Sequence, residues 1–388
     1  KQLIGLGKIK DFDDLKKRFD IEVVSDEFFE NYKNLYLNLN KYLSEDKIFS
    51  SFVKRINLEI SLFSKKLLGQ IVFCYFLQKK GWLGVSENKL FGTGDTSYLK
   101  KQFDLYHNEN KNFFNDFLEY FFYDGLNKKN DNDYLNHIKA KVPYIGGGLF
   151  EYYDGYNWKK ELLNIPNSIF SNDQKKGILD IFDLYNFTVD ENEDLDIEIS
   201  IDPEMLGRVF ENLLEENIRK KGGSYYTPKS IVNFMCESSL INSLFLKLDK
   251  KIDKDDLKNF VSNKDYDLSG NEKLKRCSND IDIILQNLKI CDPAIGSGAF
   301  AVGMVNLIAR LRNSLKTHLT RKYKNSTYFF KRDCIQNSIY GVDLDSSAVE
   351  ITKLRLWLSL IVDENDYKKT EPLPNLDFQI LQGNSLIS

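Results

Sequence analysis

Acidic and glycine residues stand together at a point where a ligand could bind. Leu288–Cys291 is apolar apart from Lys289 and predicts the end of a buried, central parallel strand, and apolar residues recur at helical spacing from Phe300 onward. In open α/β sheets ligands bind beyond the carboxyl ends of the strands, and glycine there allows unusual φ values and close approach to the backbone. The candidate ligand-binding residues of this turn are Asp292, Pro293, Ala294, Gly296 and Gly298.

The charge of this turn favours a cationic ligand. The spacing Gly296-x-Gly298-x-x-Ala301 satisfies the loose dinucleotide fingerprint, so a nicotinamide or flavin cofactor is one candidate. However, the Asp292 carboxylate would repel a pyrophosphate and attract an ammonium or sulfonium group. S-adenosylmethionine carries both cations and no phosphate, and it is therefore the cofactor that these residues favour.

A second predicted strand ends in acidic residues. Asp343 follows the apolar stretch Ile339–Val342, and a carboxylate there can accept hydrogen bonds from both hydroxyls of a ribose. Leu344 beside it can pack on adenine, whereas Asp345 is predicted to cap the next helix. The interval between the glycines and Asp343 is longer than the roughly 20 residues typical of dinucleotide folds. We attribute the longer interval to an insertion at Lys322–Asp333.

Two other stretches can contribute polar groups to the same site. Tyr226, Thr227 and Pro228 precede a predicted helix that begins at Lys229, where the hydroxyl of Thr227 and free helix amides could hold a carboxylate. A simple Thr-Pro helix cap is the alternative. Asn384 ends a third predicted strand and could pair with the edge of adenine, although a polar turn after an edge strand explains it equally well.

The first half of the chain is predicted to be mainly helical. Ile71–Leu77 is apolar at every position and predicts the most buried helix, ending at Lys79, Lys80 and Gly81. The three glycines Gly146–Gly148 predict an ordered turn between helices. We expect a helical domain at residues 1–200, and a second domain at residues 201–388 that begins with a helix over Ile201–Leu214.

Composition narrows the class of protein. The net charge of −3 is not that of a protein that coats nucleic acid, although positive charge can be confined to one cleft. The five cysteines are scattered and include no C-x-x-C pair, so neither a disulfide framework nor a zinc site is indicated. The apolar run Leu67–Leu77 is expected to be too short to span a bilayer, and a cytoplasmic location is predicted.

Four ordered motifs resemble a known enzyme family. Gly-Ser-Tyr-Tyr-Thr-Pro, Asp-Pro-Ala-Ile-Gly-Ser-Gly-Ala-Phe, Tyr-Gly-Val-Asp-Leu-Asp and Gln-Gly-Asn-Ser-Leu resemble motifs X, I, II and III of gamma-class DNA adenine-N6 methyltransferases. More narrowly, they resemble the methylase region of type IIG restriction-modification enzymes. Val142–Glu151 and Asp202–Gly207 resemble further motifs of that family, which precede motif X.

The resemblance implies a fold and a set of residue roles. The fold is an α-helical N-terminal domain followed by the first half of an α/β Rossmann-like, S-adenosylmethionine-dependent methyltransferase domain. Thr227 would contact the methionine carboxylate, Asp292–Gly296 would surround the methionine, and Asp343 would bind the ribose. Leu344 and Asn384 would contact the adenine. The partner of the full-length protein would be double-stranded DNA.

The family's catalytic loop is not found in this sequence. The family flips an adenine into a pocket built from an Asn-Pro-Pro-Tyr loop, and this chain contains no Pro-Pro pair. No nuclease motif of the P-D…[D/E]-x-K kind is present either. We expect a chain truncated before that loop, which binds cofactor but does not methylate DNA alone. Its first sheet strand would keep an open edge that a second chain or self-association covers.

Other functions stay open at this stage. The chain could be a modification subunit of a multi-subunit or phage-defence system, with its nuclease elsewhere. It could also be a catalytically silent DNA-binding or assembly module that retains the cofactor fold. Failure to bind cofactor would favour the silent module.

Overall fold

The computed structural model describes residues 21–187, 200–201, 227–263, 266–320, 327–364 and 366–387. The chain forms two compact units. The first comprises Lys1–Leu213 and Glu364–Leu373, and the second comprises Leu214–Asp363 and Pro374–Ser388. The boundary expected between residues 200 and 201 stays a prediction, and the helix expected over Ile201–Leu214 lies outside the described residues from 202 onward.

The described part of the first unit is mainly helical. Two π-helical segments, Phe113–Leu118 and Tyr120–Leu126, follow its long helices. Two small sheets pair β1 with β2 antiparallel and β3 with β4 in parallel. The α-helices are α1 (Ile21–Glu45), α2 (Lys47–Arg55), α3 (Ile60–Lys79), α4 (Tyr98–Asn108), α5 (Asn167–Phe170) and α6 (Ile178–Phe182). The strands are β1 (Tyr134–Leu135), β2 (Ala140–Lys141), β3 (Asn186–Phe187) and β4 (Ser200–Ile201).

Helix α3 is the central helix of this unit. Every residue from Leu67 to Gln78 is buried, and the chain leaves the helix through Lys80 and then Gly81, whose φ is +67°. The apolar run Leu67–Leu77 is part of α3, which at 20 residues is long and apolar enough to cross a bilayer. The expectation that this run is too short to span a bilayer was therefore wrong. However, 72% of the most apolar window of α3 is buried inside the protein, as in the core helix of a globular unit.

The three consecutive glycines form a turn that receives a later part of the chain. Gly146, Gly147 and Gly148 all have positive φ values, of 64°, 77° and 93°. The Leu373 amide donates to the carbonyl of Ile145 at 2.7 Å, and a Cβ on Gly147 would lie 2.6 Å from Leu373 Cβ. Glycine is therefore required at position 147 by backbone conformation and by close packing together.

The second unit contains seven α-helices in its described part and a three-stranded parallel sheet. The helices are α7 (Lys229–Lys247), α8 (Lys254–Ser262), α9 (Glu272–Arg276), α10 (Ser278–Gln286), α11 (Ala299–Leu315), α12 (Thr327–Asn337) and α13 (Ser346–Asp363). The strands are β5 (Ile290–Asp292), β6 (Ile339–Asp343) and β7 (Ile380–Gln382), in the spatial order β5-β6-β7. Helix α11 follows β5 and α13 follows β6, so each leaves the carboxyl end of its strand.

The position of β5 corrects one expectation. Leu288–Cys291 was expected to be a buried central strand, but β5 begins at Ile290 and Cys291 is exposed. Among the described residues β5 pairs with β6 alone, so β6 is the central strand and β5 lies at an edge. The edge position of β5 agrees with the expectation that the first sheet strand keeps an open edge, whereas the expectation of a buried strand was wrong.

A buried ion network joins three helices behind the sheet. The Arg312 side chain on α11 is fully buried and donates to Asp282 on α10 and Asp333 on α12. Phe330 on α12 packs against the same guanidinium, 4.6 Å from its ring centroid. The segment Lys322–Asp333, which we expected to be an insertion, is therefore packed into this unit from Thr327 onward.

Candidate functional site

The glycine turn between β5 and α11 is the centre of the candidate site. Gly296 and Gly298 have φ values of +54° and +80°, in the region that side-chain-bearing residues rarely occupy. The Gly298 amide donates to the Ile295 carbonyl at 2.9 Å, and the Ile295 amide donates to Val342 at the end of β6 at 3.0 Å. These hydrogen bonds fold the turn back against the central strand.

Two carboxylates lie at the ends of the neighbouring strands β5 and β6. Asp343 Oδ2 accepts a hydrogen bond from the Gly296 amide at 2.8 Å, so the structure brings Asp343 and the glycine turn together. Asp292 Oδ1 accepts from the Ala294 amide at 3.1 Å. Burial raises the pKa of the Asp292 carboxyl, and the nearby charge of Asp343 raises it further. A cation bound between these groups would relieve their repulsion.

The end of β7 reaches the same turn. Ser385 Oγ donates to the Pro293 carbonyl at 2.8 Å, and Gln382 Nε2 donates to the Leu344 carbonyl at 3.2 Å. Asn384 is exposed, and its Oδ1 accepts from the Leu386 amide at 3.0 Å, as in a polar turn. The Leu344 side chain is 64% exposed and offers an apolar surface beside Asp343.

The residues around Thr227 are described only in part. Tyr226 lies outside the described residues, whereas Thr227 is half-buried and Pro228 is the N-cap of α7. Helix α7 packs on α11, because a Cβ on Gly303 would lie 2.9 Å from Val232 Cγ1. The helix begins at Lys229 as predicted, and contact of Thr227 with a ligand stays a prediction.

Two side chains of helix α13 donate hydrogen bonds to backbone carbonyls of the glycine turn. Thr352 Oγ1 donates to the Gly296 carbonyl at 2.8 Å. Arg355 Nη1 donates to the Ser297 carbonyl at 2.7 Å and to Ser297 Oγ at 3.2 Å. Sequence analysis missed both residues, because they lie within an apolar helix that was interpreted only by its packing positions.

The shape and charge of this turn fit the cofactor predicted from the sequence. A Cβ added to Gly296 would meet nothing within 4 Å, so the backbone there is open to a ligand. The adjoining groups are two carboxylates and an exposed leucine, which suit a cation, a ribose and an adenine ring. No group of residues able to hold a metal ion occurs in the described part of the chain.

Part of this site is similar to a known protein family. Residues 337–386 match the family described as Eco57I restriction-modification methylase. The matched segment contains β6, α13 and β7. It therefore includes Asp343, Leu344 and Asn384, together with the supporting residues Thr352 and Arg355.

Two similar proteins carry related names. The chain is 29% identical over 349 residues to a protein of Methanocaldococcus jannaschii provisionally named as a type II restriction enzyme and methyltransferase. It is 33% identical over 129 residues to the type II restriction enzyme and methyltransferase Eco57I of Escherichia coli. These alignments cover 84% and 30% of this chain, but only 27% and 13% of the relatives. The chain thus corresponds to a small part of proteins that combine two activities.

A solved structure shares the fold. The type IIL restriction-modification enzyme MmeI, determined in complex with DNA, aligns with 93% of this chain at a TM-score of 0.54. The alignment covers 40% of MmeI, and the sequences are 16% identical. The similarity shows a shared fold.

Proposed function

We propose that this chain is the S-adenosylmethionine-binding portion of a DNA adenine-N6 methyltransferase from a restriction-modification system. The observation that carries the proposal is the glycine turn at the ends of β5 and β6. There, the Gly296 amide is hydrogen-bonded to Asp343 and the backbone of Gly296 is open on its other side. The family match over residues 337–386 and the two relatives support this assignment.

We propose the following roles for the site residues. Asp292 attracts the cationic methionine part, and Asp343 accepts the ribose hydroxyls with oxygen lone pairs that remain beyond its backbone hydrogen bonds. Leu344 packs on the adenine, and Asn384 lies beside it. Thr227, between Tyr226 and Pro228, interacts with the carboxylate at the start of α7. Bound S-adenosylmethionine supplies an activated methyl group.

The proposal separates cofactor binding from methyl transfer. The described groups can hold a cofactor, but the sequence has no Pro-Pro pair with which to form the Asn-Pro-Pro-Tyr loop expected to hold a flipped adenine. We therefore propose that this chain binds cofactor and that a further segment carrying the loop completes the base pocket. Double-stranded DNA is the proposed partner of the whole enzyme.

Isothermal titration of the chain with S-adenosylmethionine tests this proposal, with NADH as the comparison ligand. We expect saturable binding of the methyl donor alone. Asp343→Asn should weaken it about tenfold or more, because a hydrogen-bonded charged group is lost from the site. Asp345→Asn is the matched control, since Asp345 accepts from the Ser347 amide and caps α13, as predicted.

The alternatives give different results. Tight binding of NADH would identify a dinucleotide site and overturn the proposal. Absence of binding to either ligand would favour a silent assembly module. Equal losses in the Asp343 and Asp345 variants would show that the acids act only by stabilising the fold.

A further inference from the structure

We propose that Thr352 and Arg355 of α13 are positioning residues that hold the glycine turn in its ligand-binding shape before the cofactor arrives. This inference rests on the proposed cofactor-binding function. It adds two residues, neither of which lies in the turn, whose side chains fix the orientation of the backbone at Gly296 and Ser297.

Thr352 controls the peptide group that joins Gly296 to Ser297. Its hydroxyl donates to the Gly296 carbonyl at 2.8 Å, and its side chain is fully buried. In a trans peptide the carbonyl and the following amide point in opposite directions, so the amide of Ser297 is directed away from α13. The same threonine occupies the space behind Gly298, where an added Cβ would lie 2.9 Å from Cγ2 and from Oγ1.

Arg355 controls the next peptide group, one helical turn further along α13. Its side chain is 3% exposed, and Nη1 reaches both the carbonyl and the hydroxyl of Ser297. Thr352 and Arg355 are three positions apart in the sequence, so both lie on one face of the helix. This spacing lets one rigid element hold two consecutive carbonyls of the turn.

Together with Asp343, these residues fix the turn on two sides. The Gly296 amide is held by Asp343 from β6, while the carbonyls of Gly296 and Ser297 are held from α13. Two glycines with positive φ would otherwise give this segment many conformations. Fixing them in advance lowers the entropy lost when a ligand binds, and affinity rises accordingly.

Threonine substitutions test the first contact. Thr352→Val keeps the side-chain shape and removes the donor, and we expect it to raise the Kd for S-adenosylmethionine about tenfold. Thr352→Ser keeps the donor and should stay within about twofold of the unsubstituted chain. Ser359→Ala is the matched control, because the Ser359 hydroxyl on the same helix donates to the Leu356 carbonyl and does not contact the turn.

Arginine substitutions test the second contact. Arg355→Lys retains the charge but loses the planar guanidinium, and it should also raise the Kd about tenfold. Arg310→Lys is its control, since Arg310 donates to the backbone carbonyls of Val261 and Asn263 at a distance from the turn. Amide hydrogen exchange of the ligand-free proteins should be faster over residues 293–300 in Thr352→Val and Arg355→Lys alone.

The readouts separate positioning from general stability. Weakened binding and faster local exchange, with melting temperatures equal to those of the control variants, would support the inference. Tight binding by Thr352→Val and Arg355→Lys would overturn it and leave the proposed function intact. Absence of binding by the unsubstituted chain would overturn the proposed function and, with it, a role in cofactor positioning.

Discussion

At the residue scale, Asp292 combines charge with partial burial. Its carboxyl lies at the end of β5, near Asp343, and burial raises its pKa. A carboxylate in this setting lacks full solvation by water, so it interacts strongly with a cation that displaces the remaining solvent. This position suits recognition of the methionine part of the proposed cofactor.

Asp292→Asn should therefore weaken binding of S-adenosylmethionine about tenfold or more at neutral pH. Binding to the unsubstituted chain should also weaken as the pH falls, because protonation removes the charge and the raised pKa brings this loss closer to neutrality. Titrations at neutral and at mildly acidic pH measure both effects. An unchanged affinity in the asparagine variant would exclude Asp292 from the site.

Glu119 is a second unusual acid, located between the two π-helical segments of the first unit. Its side chain is 1% exposed, Tyr156 donates a hydrogen bond to it, and Asn115 Nδ2 donates to Oε2 at 2.8 Å. Burial raises its pKa from 4.5 to about 7, with Asp116 adding repulsion and the two hydrogen bonds opposing the shift. The folded protein therefore favours the protonated acid.

This shift predicts how stability depends on pH. Because the folded pKa is raised, the stabilising contribution is fully present below about pH 4.5 and is lost as the pH rises through about 7. The full effect would be roughly 3 kcal/mol. Thermal unfolding between pH 5 and 8 should show this decline, and Glu119→Gln should flatten it. Asp124→Asn, which removes a surface ion pair with Lys159, should leave the decline unchanged.

At the element scale, the turn at Gly146–Gly148 and the segment Glu364–Leu373 form one packed structure within the first unit. The Tyr367 hydroxyl accepts from the Tyr144 amide at 2.7 Å, and its ring packs 4.2 Å from that of Phe91. Leu373 then pairs with Ile145. The turn at Gly146–Gly148 thus packs against the segment Glu364–Leu373, which lies far away in the sequence.

Substitutions at neighbouring glycines separate packing from backbone strain. Gly147→Ala would place a Cβ 2.6 Å from Leu373 and would also force alanine into a disfavoured φ. Gly148→Ala has only the disfavoured φ, because no atom lies within 4 Å of the added Cβ. We expect Gly148→Ala to lower the free energy of unfolding by about 1 kcal/mol and Gly147→Ala by about 2–4 kcal/mol. Urea denaturation measures the difference. Equal losses would show that Leu373 moves aside without cost.

At the scale of the whole molecule, β5 is an edge strand of the sheet that the described residues form. The Ile290 amide donates to Ser338, so by the alternation of a parallel ladder the Cys291 amide points away from β6. Exposed edge strands of this kind recruit another strand. We expect the chain to self-associate or to bind a second chain through β5.

Cys291→Pro tests this expectation, because proline removes the outward amide without taking a donor from the β5-β6 pair. Analytical ultracentrifugation under reducing conditions should show less self-association for this variant than for the unsubstituted chain. Cys291→Ser controls for the exposed thiol and should associate normally. A monomeric unsubstituted chain at high concentration would contradict self-association and leave binding of a different chain as the expected way to cover β5.

The sequence by itself determined the local elements and the types of residue at the glycine turn. Helix α7 begins at Lys229, helix α3 ends just before Gly81, and Asp345 caps α13, as local patterns predicted. Periodicity, cap residues and glycine act over a few residues, and a sequence can therefore report them.

Tertiary structure decided which faces are covered and what supports the site. On α7, the apolar side chains of Ile231 and Met235 are 49% and 45% exposed, while Val232, Cys236 and Leu240 are buried. Similarly, Cys291 of β5 proved to be exposed, and Thr352 and Arg355 proved to hold the glycine turn. The contacts of Thr352 and Arg355 with the turn join residues more than 50 positions apart in the chain, and no local pattern encodes such contacts.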